Sequence, residues 1–201
     1  MKSLTSMRLF KLISISLLTL SLSGCAGIFI AGAATTANLV TDTRTTEQIW
    51  NDNNIEFEVA AITNKQPYRG NVRITASSYR GSVVLMGQAT TDSERRAFES
   101  QAKQMAGVES IHNQVRVKEP LTISAISNDS WITTKVKSAL LANARLNGIN
   151  VKVITEDSEV FLLGVVSREH ADIVTEVTRN VSGVKQVIRA FEYSEEVTAV
   201  N

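Results

Sequence analysis

Disulfide chemistry is closed to this chain: its 201 residues hold one cysteine, Cys25, which has no partner within the sequence. Histidine is almost as scarce. His112 and His170 lie 58 residues apart and, with that lone cysteine, form neither a Cys/His nucleophile pair nor a metal-ligand spacing. No Gly-x-Ser-x-Gly elbow and no glycine-rich phosphate loop occurs. The carboxylate pairs Glu56/Glu58 and Glu195/Glu196 read as surface charge on a helix and a tail. These absences argue against catalysis, a small-molecule substrate or a metal cofactor. Proline occurs only at 67 and 120, and aromatics make up 5% of the chain. The net charge of +1 comes without a basic stripe, which speaks against nucleic acid as a partner. Past the N-terminus no apolar run approaches the roughly 20 residues of a membrane-spanning helix.

What is present begins with an export signal. Met1–Lys11 carries Lys2, Arg8 and Lys11 and no acid, and Leu12–Leu22 is predominantly apolar. A basic start, a short apolar stretch and small residues before a cut form a secretory signal, here over 1–24. The ending Leu22-Ser23-Gly24-Cys25 resembles the bacterial lipobox. That resemblance implies cleavage before Cys25 and a covalent lipid on it, S-diacylglycerol on the sulfur and an acyl group on the new amino end. An exported, unpaired thiol would be consumed in this way. Two or more acyl chains give a stable anchor where one gives only marginal binding. Ala26, where an inner-membrane lipoprotein would carry Asp, implies by the same analogy delivery to the outer membrane, facing the periplasm. Residues 25–44 are small and lack an amphipathic period, as a flexible tether does. The alternative for Ile28, Phe29 and Ile30 is entry into the bilayer beside the anchor.

From Thr45 the chain reads as one unit written twice. Asn51-Asp52-Asn53-Asn54-Ile55 aligns with Asn128-Asp129-Ser130-Trp131-Ile132, and Val83-Val84-Leu85-Met86-Gly87 with Val160-Phe161-Leu162-Leu163-Gly164, all at a spacing of 77. Ala106-Gly-Val-Glu-Ser-Ile111 matches Ser182-Gly-Val-Lys-Gln-Val187 at 76. A spacing held over several segments is a duplication. Two units follow, 45–118 and 119–193, joined at Glu119-Pro120, with 194–201 an acidic, then apolar tail expected to be disordered.

Each unit reads helix–strand–strand–helix–strand. In the first, helices are expected near 46–63 and 92–106 and strands at 71–78, 82–89 and 108–117. In the second, Asn128 or Asp129 is expected to cap a helix running to Asn143, followed by strands at 149–155, 159–166 and 184–193 and a helix capped by Ser167. A tight turn makes strands one and two antiparallel, and the helical crossover makes strands two and three parallel. The fold class is therefore α+β: a small three-stranded mixed sheet with two helices on one face, twice. Units this small are marginal alone, and packing on each other is expected.

The motifs Val83-x-Leu85-x-Gly87 and Phe161-Leu-Leu-Gly164, each followed by a helix and then Gly-Val, resemble the BON domain. With the lipobox and the run Ser127-Asn-Asp-Ser-Trp-Ile-Thr-Thr-Lys-Val-Lys137, the whole resembles the dual-BON outer-membrane lipoproteins, the division- and outer-membrane-stress-associated lipid-binding family. The resemblance implies an αββαβ fold, binding of anionic phospholipid through the second domain, and support of outer-membrane integrity near the division site. Asn113, after the last Gly-Val motif, becomes Arg189 in the second unit.

The residues themselves bear on lipid binding. On a wheel of about 100° per residue, Ile132, Val136, Ala139 and Leu140 make a core stripe. The opposite face carries Trp131, Thr134, Ser138 and Leu141, then Arg145, with Lys135 and Lys137 at its edges. An indole among cations suits a headgroup-level anchor. Each cation near an anionic surface adds about 1 kcal/mol, and screening confines that gain to about 8–10 Å. In the first unit Asn54, Glu56, Glu58 and Ala60 stand where Trp131, Thr133, Lys135 and Lys137 do, so that helix should be repelled. The competing reading packs Trp131 and Leu141 on the first unit or on another copy. A different function, an adaptor for outer-membrane assembly or division proteins, is compatible with the same surface.

Overall fold

The computed structural model describes residues 44–194. The expected signal sequence, the expected acylation of Cys25, the expected flexible linker up to Thr43 and the tail from Glu195 expected to be disordered all lie outside the described residues.

In the first unit, α1 spans Thr46–Thr63 and is closed by a capping box, Thr45 accepting from the Gln48 N–H and the Gln48 side chain from the Thr45 N–H. Strands β1 (Val72–Tyr79) and β2 (Ser82–Ala89) form an antiparallel hairpin. Helix α2 (Asp92–Ala102), with a second capping box at Thr91/Glu94, leads to β3 (Ser110–Asn113) and β4 (Arg116–Val117), both parallel to β2. The expected single strand over 108–117 is thus broken in two. At the break the Asn113 side chain accepts from the Val115 N–H at 3.0 Å and donates to Glu99 Oε2 at 2.8 Å, a local side-chain contact competing with the ladder. Arg189 offers no such acceptor, and the corresponding β7 (Gln186–Tyr193) runs unbroken beside β6.

In the second unit, α3 spans Ile123–Leu141, β5 Lys152–Glu156, β6 Glu159–Val166 and α4 Arg168–Arg179, capped by Ser167 as expected. Again β5 and β6 are antiparallel and β6 and β7 parallel. The start of α3 departs from expectation. It is capped by Thr122, whose Oγ1 accepts from the Ala125 N–H, and not by Asn128 or Asp129. Pro120 and Thr122 are the start signals, since proline cannot extend the preceding strand and threonine accepts from the first turn.

Asp129 is buried inside the helix, where it accepts from the Asp157 and Ser158 N–H groups at 2.8 Å each. Its repeat partner Asp52 does the same for Arg80 and Gly81, at 2.8 and 3.0 Å, and also accepts from Ser78 Oγ and Arg44. Both hairpin turns hold positive φ at two successive residues, Arg80–Gly81 and Asp157–Ser158, as a tight right-twisted turn requires. The repeated aspartate therefore ties each unit's first helix to its hairpin.

The repeated glycine of the strand motif has a steric cause. A Cβ on Gly87 (φ +131°) would lie 2.0 Å from the Arg73 carbonyl oxygen, and one on Gly164 (φ +144°) 2.8 Å from that of Asn150.

Alternation along the central strands decides how the units meet. Val83 and Leu85 point into the first unit's core with Ile55, Val59, Ile74 and Phe98. Val160 and Leu162 point into the second with Ile132, Val136 and Val174. The residues between them, Val84, Met86, Phe161 and Leu163, form a third apolar cluster in which the two sheets pack face to face. Val84/Phe161 and Met86/Leu163 are repeat equivalents, so the two units meet through matching surfaces. The layers run helices, sheet, sheet, helices. A polar seam flanks the apolar contact: Glu156 accepts from Arg73 and, at 2.7 Å, from Gln88. Arg116 grips Glu159 at 2.9–3.2 Å, Lys118 meets Asp157 at 2.7 Å, and Lys152 meets Glu56 at 2.8 Å.

Candidate membrane-facing site

Helix α3 is held to its sheet by Ile132 and Val136, both fully buried, by Asp129, and by a Thr133–Thr155 hydroxyl contact at 2.7 Å. Those contacts fix which side faces out. Trp131 is 61% exposed and Leu141 83%. Thr134 and Ser138, between them on the same side, are also exposed, Thr134 donating back to the Ser130 carbonyl. Because the helix starts earlier than expected, the face is longer. Ile123, 84% exposed, sits five whole turns from Leu141 and so shares its direction. The result is a ridge of three large apolar side chains along about 27 Å of helix, with small hydroxyl residues between them. Ile123 escapes the sequence reading only because the helix start was placed at Asn128.

The cations do not all reach that face. Lys137 is exposed and has no acidic partner among the described residues. Lys135 is half-buried and donates to the Ser182 carbonyl, so it clamps α3 to the loop before β7 instead of edging the open face. Arg145 lies past the helix in a 3-10 turn (Ala144–Leu146) and pairs with Glu169 at 2.9 Å. Both partners are well exposed, and such pairs are worth little in water. Of the seven expected residues, Trp131, Thr134, Lys137, Ser138 and Leu141 share one exposed side, Arg145 lies beyond its end, and Lys135 is turned away.

The comparison helix α1 is less plain than its sequence suggests. Glu58 is exposed, as expected. Glu56 is not free: it accepts from the Ser78 N–H at 2.9 Å and pairs with Lys152. Moreover α1 exposes two aromatics of its own, Trp50 at 68% and Phe57 at 75%. The two helices therefore contrast in charge and not in apolarity.

Among the described residues no group of three or more His, Cys, Asp and Glu is placed to hold a metal ion. Among them, too, no helix is long and apolar enough to cross a membrane. His170 Nδ1 lies 2.8 Å from Ser167 Oγ, a contact at the start of α4.

A family profile for the BON domain matches residues 51–119 and 128–195. The chain is 37% identical over 176 residues to the outer membrane lipoprotein DolP of Haemophilus influenzae, covering 87% of this chain and 91% of that one. It is 46% identical over 121 residues to a 21 kDa hemolysin of Actinobacillus pleuropneumoniae, covering 60% of this chain and 62% of the other. Among solved structures it is similar to CdsD, a structural protein of the type III secretion system of Chlamydia trachomatis. That match has 18% identity, a TM-score of 0.28, and covers 72% of this chain and 65% of that one.

Proposed function

This chain belongs to the BON-domain family of outer-membrane lipoproteins, and from that membership we propose that it lays α3 on anionic phospholipid while acyl groups on Cys25 hold it at the bilayer. On this reading it acts by binding and not by catalysis, and supports outer-membrane integrity at the division site. The observation that carries the reading is the Ile123–Trp131–Leu141 ridge, exposed along a helix whose other side is fully engaged, with the unpaired Lys137 beside it.

Magnitudes favour it. Sinking about 100 Å² of the exposed indole into the interfacial region yields about 2.5 kcal/mol, and Lys137 adds about 1 kcal/mol on an anionic surface. That sum corresponds to a dissociation constant of millimolar order. Such an affinity is weak for a free protein and ample for a tethered one, because a short flexible tether supplies an effective concentration also in the millimolar range. The anchor does the localising, and α3 sets the orientation.

The test is vesicle flotation of the mature chain, residues 25–201, with Cys25→Ser removing the anchor. Binding is expected to be about fivefold tighter to phosphatidylglycerol-containing vesicles than to neutral phosphatidylcholine ones, the share that about 1 kcal/mol from Lys137 supplies. Trp131→Glu should abolish it with the fold intact by circular dichroism. Lys137→Glu should weaken it at low salt and have less effect at high salt. Undiminished flotation of Trp131→Glu refutes the reading.

A further inference from the structure

The lipid reading uses α3 and leaves α1 unexplained. Trp50 and Phe57 are two turns apart on the side of α1 away from its core, with Asn53, Asn54 and Ala60 around them and the exposed acids Glu47 and Glu58 along one edge. An aromatic patch of this kind on a helix is a docking surface unless something covers it. An anionic membrane is a poor occupant, because Glu47 and Glu58 oppose it. The charge calls for a partner whose apolar ridge is edged by a cation, and the ridge on α3, edged by Lys137, is such a partner.

The spacings agree to within about 3 Å, less than the width of an aromatic ring. Trp50 and Phe57 project about 10 Å apart along α1. On α3 the large residues stand at 123, 131 and 141, leaving two gaps whose centres are about 13 Å apart, floored by Ser127 and by Thr134 and Ser138. Two aromatic rings can seat in those gaps over small hydroxyl residues. One copy cannot satisfy itself, since α1 and α3 cover the outer faces of two sheets packed against each other, so their exposed sides point apart.

We propose that the Trp50–Phe57 face of α1 is a docking surface for a second copy of this chain, taking that copy's Ile123–Trp131–Leu141 face. The contact is heterologous: each copy in a dimer keeps one unused face, so association propagates beyond the dimer, as an open chain or as a ring where the rotation closes. A copy whose α3 lies on lipid still offers α1, and lipid and a neighbouring copy compete for α3. The proposal rests on the α1 surface and stands whether or not α3 binds lipid.

Sedimentation velocity of the mature, Cys25→Ser chain tests it through a complementation that only a heterologous contact allows. The unsubstituted chain should associate with rising concentration, more at low salt than at high. Trp50→Ser with Phe57→Ser, and separately Trp131→Ser with Leu141→Ser, should each lower the association constant at least about tenfold. Mixed, the two double variants should form a one-to-one dimer and nothing larger, because one intact α1 face and one intact α3 face remain between them. All five positions of the two ridges are exposed, so circular dichroism should be unchanged in both variants. A chain that stays monomeric at every concentration, association that survives either double variant, or a mixture that yields no dimer overturns the proposal. Flotation of the Trp50→Ser/Phe57→Ser variant on phosphatidylglycerol vesicles should be undiminished. Its loss would overturn the proposal in favour of lipid as the occupant of α1. Failure of the lipid reading shows up separately, in flotation of Trp131→Glu.

Discussion

Removing the Glu156 carboxylate should cost far more than removing the Lys152 ammonium, although both make ion pairs between the two units. Glu156 is 7% exposed and its partner Arg73 29%, and Glu156 also accepts from the Gln88 amide, which is wholly buried. Glu156→Ala leaves the Gln88 donor unmet, at about 1–3 kcal/mol. It also leaves a guanidinium short of its counter-charge at a seam where breaking a buried pair costs about 3–5 kcal/mol. Arg73 keeps some access to water, which places the combined loss near the lower figure, about 3 kcal/mol. Lys152, by contrast, is half-exposed, and without it Glu56 still accepts from the Ser78 N–H. Lys152→Ala should therefore cost no more than about 1 kcal/mol. Thermal unfolding followed by circular dichroism measures both. At the roughly 2–4 °C per kcal/mol expected for a chain this size, the first variant should melt about 6–12 °C lower and the second within about 4 °C of the parent. Equal losses would refute the argument that burial, not the mere presence of an ion pair, decides what the seam contributes.

Burial raises the Asp52 carboxyl, but hydrogen bonds from the Gly81 N–H, Ser78 Oγ, the Arg80 N–H and Arg44 outweigh it and hold the group below its ordinary 3.8. Its stabilising contribution is thus complete above that value and lost as pH falls through the lower, folded one. Asp52→Asn should cost about 2 kcal/mol at neutral pH, and the gap between it and the parent in acid titration should close below pH 3.8; a gap that stays constant into acid would contradict the charged role. Gly87→Ala should cost more than about 3 kcal/mol, since left-handed strain alone is worth about 1–3 kcal/mol and the added methyl lands on the Arg73 carbonyl. A thermal scan showing a shift of a degree or less would count against the steric account of the motif glycine.

Much of the fold is legible without coordinates because the duplication holds its spacing to within one residue, 77 and then 76, and each strand and helix carries its own period. Repeated segments at 77 residues fix two units, and the alternation in Val83–Met86 and Val160–Leu163 fixes strands with two apolar faces. The cap at Ser167 marks a helix start chemically, as expected, whereas the start at Thr122 lies ahead of the expected Asn128 or Asp129. A sequence can state these things because each depends on neighbours within a few residues. It could not state what Asp52 and Asp129 do, since an aspartate near a helix start looks like a cap until the hairpin it binds is folded against it. Nor could it say that Asn113 interrupts a strand, that Lys135 reaches across to Ser182, or that Glu56 is spoken for by Lys152 from the other unit. Asn113 acts partly through the nearby Val115 N–H, but its Glu99 contact, the hairpin bound by Asp129, Ser182 for Lys135 and Lys152 for Glu56 lie 14 to 96 residues away, and which side chains remain open to a membrane or a second copy is set by such distant partners. Composition and period determined the units and their faces, and the packing of sheet on sheet decided which faces were left over.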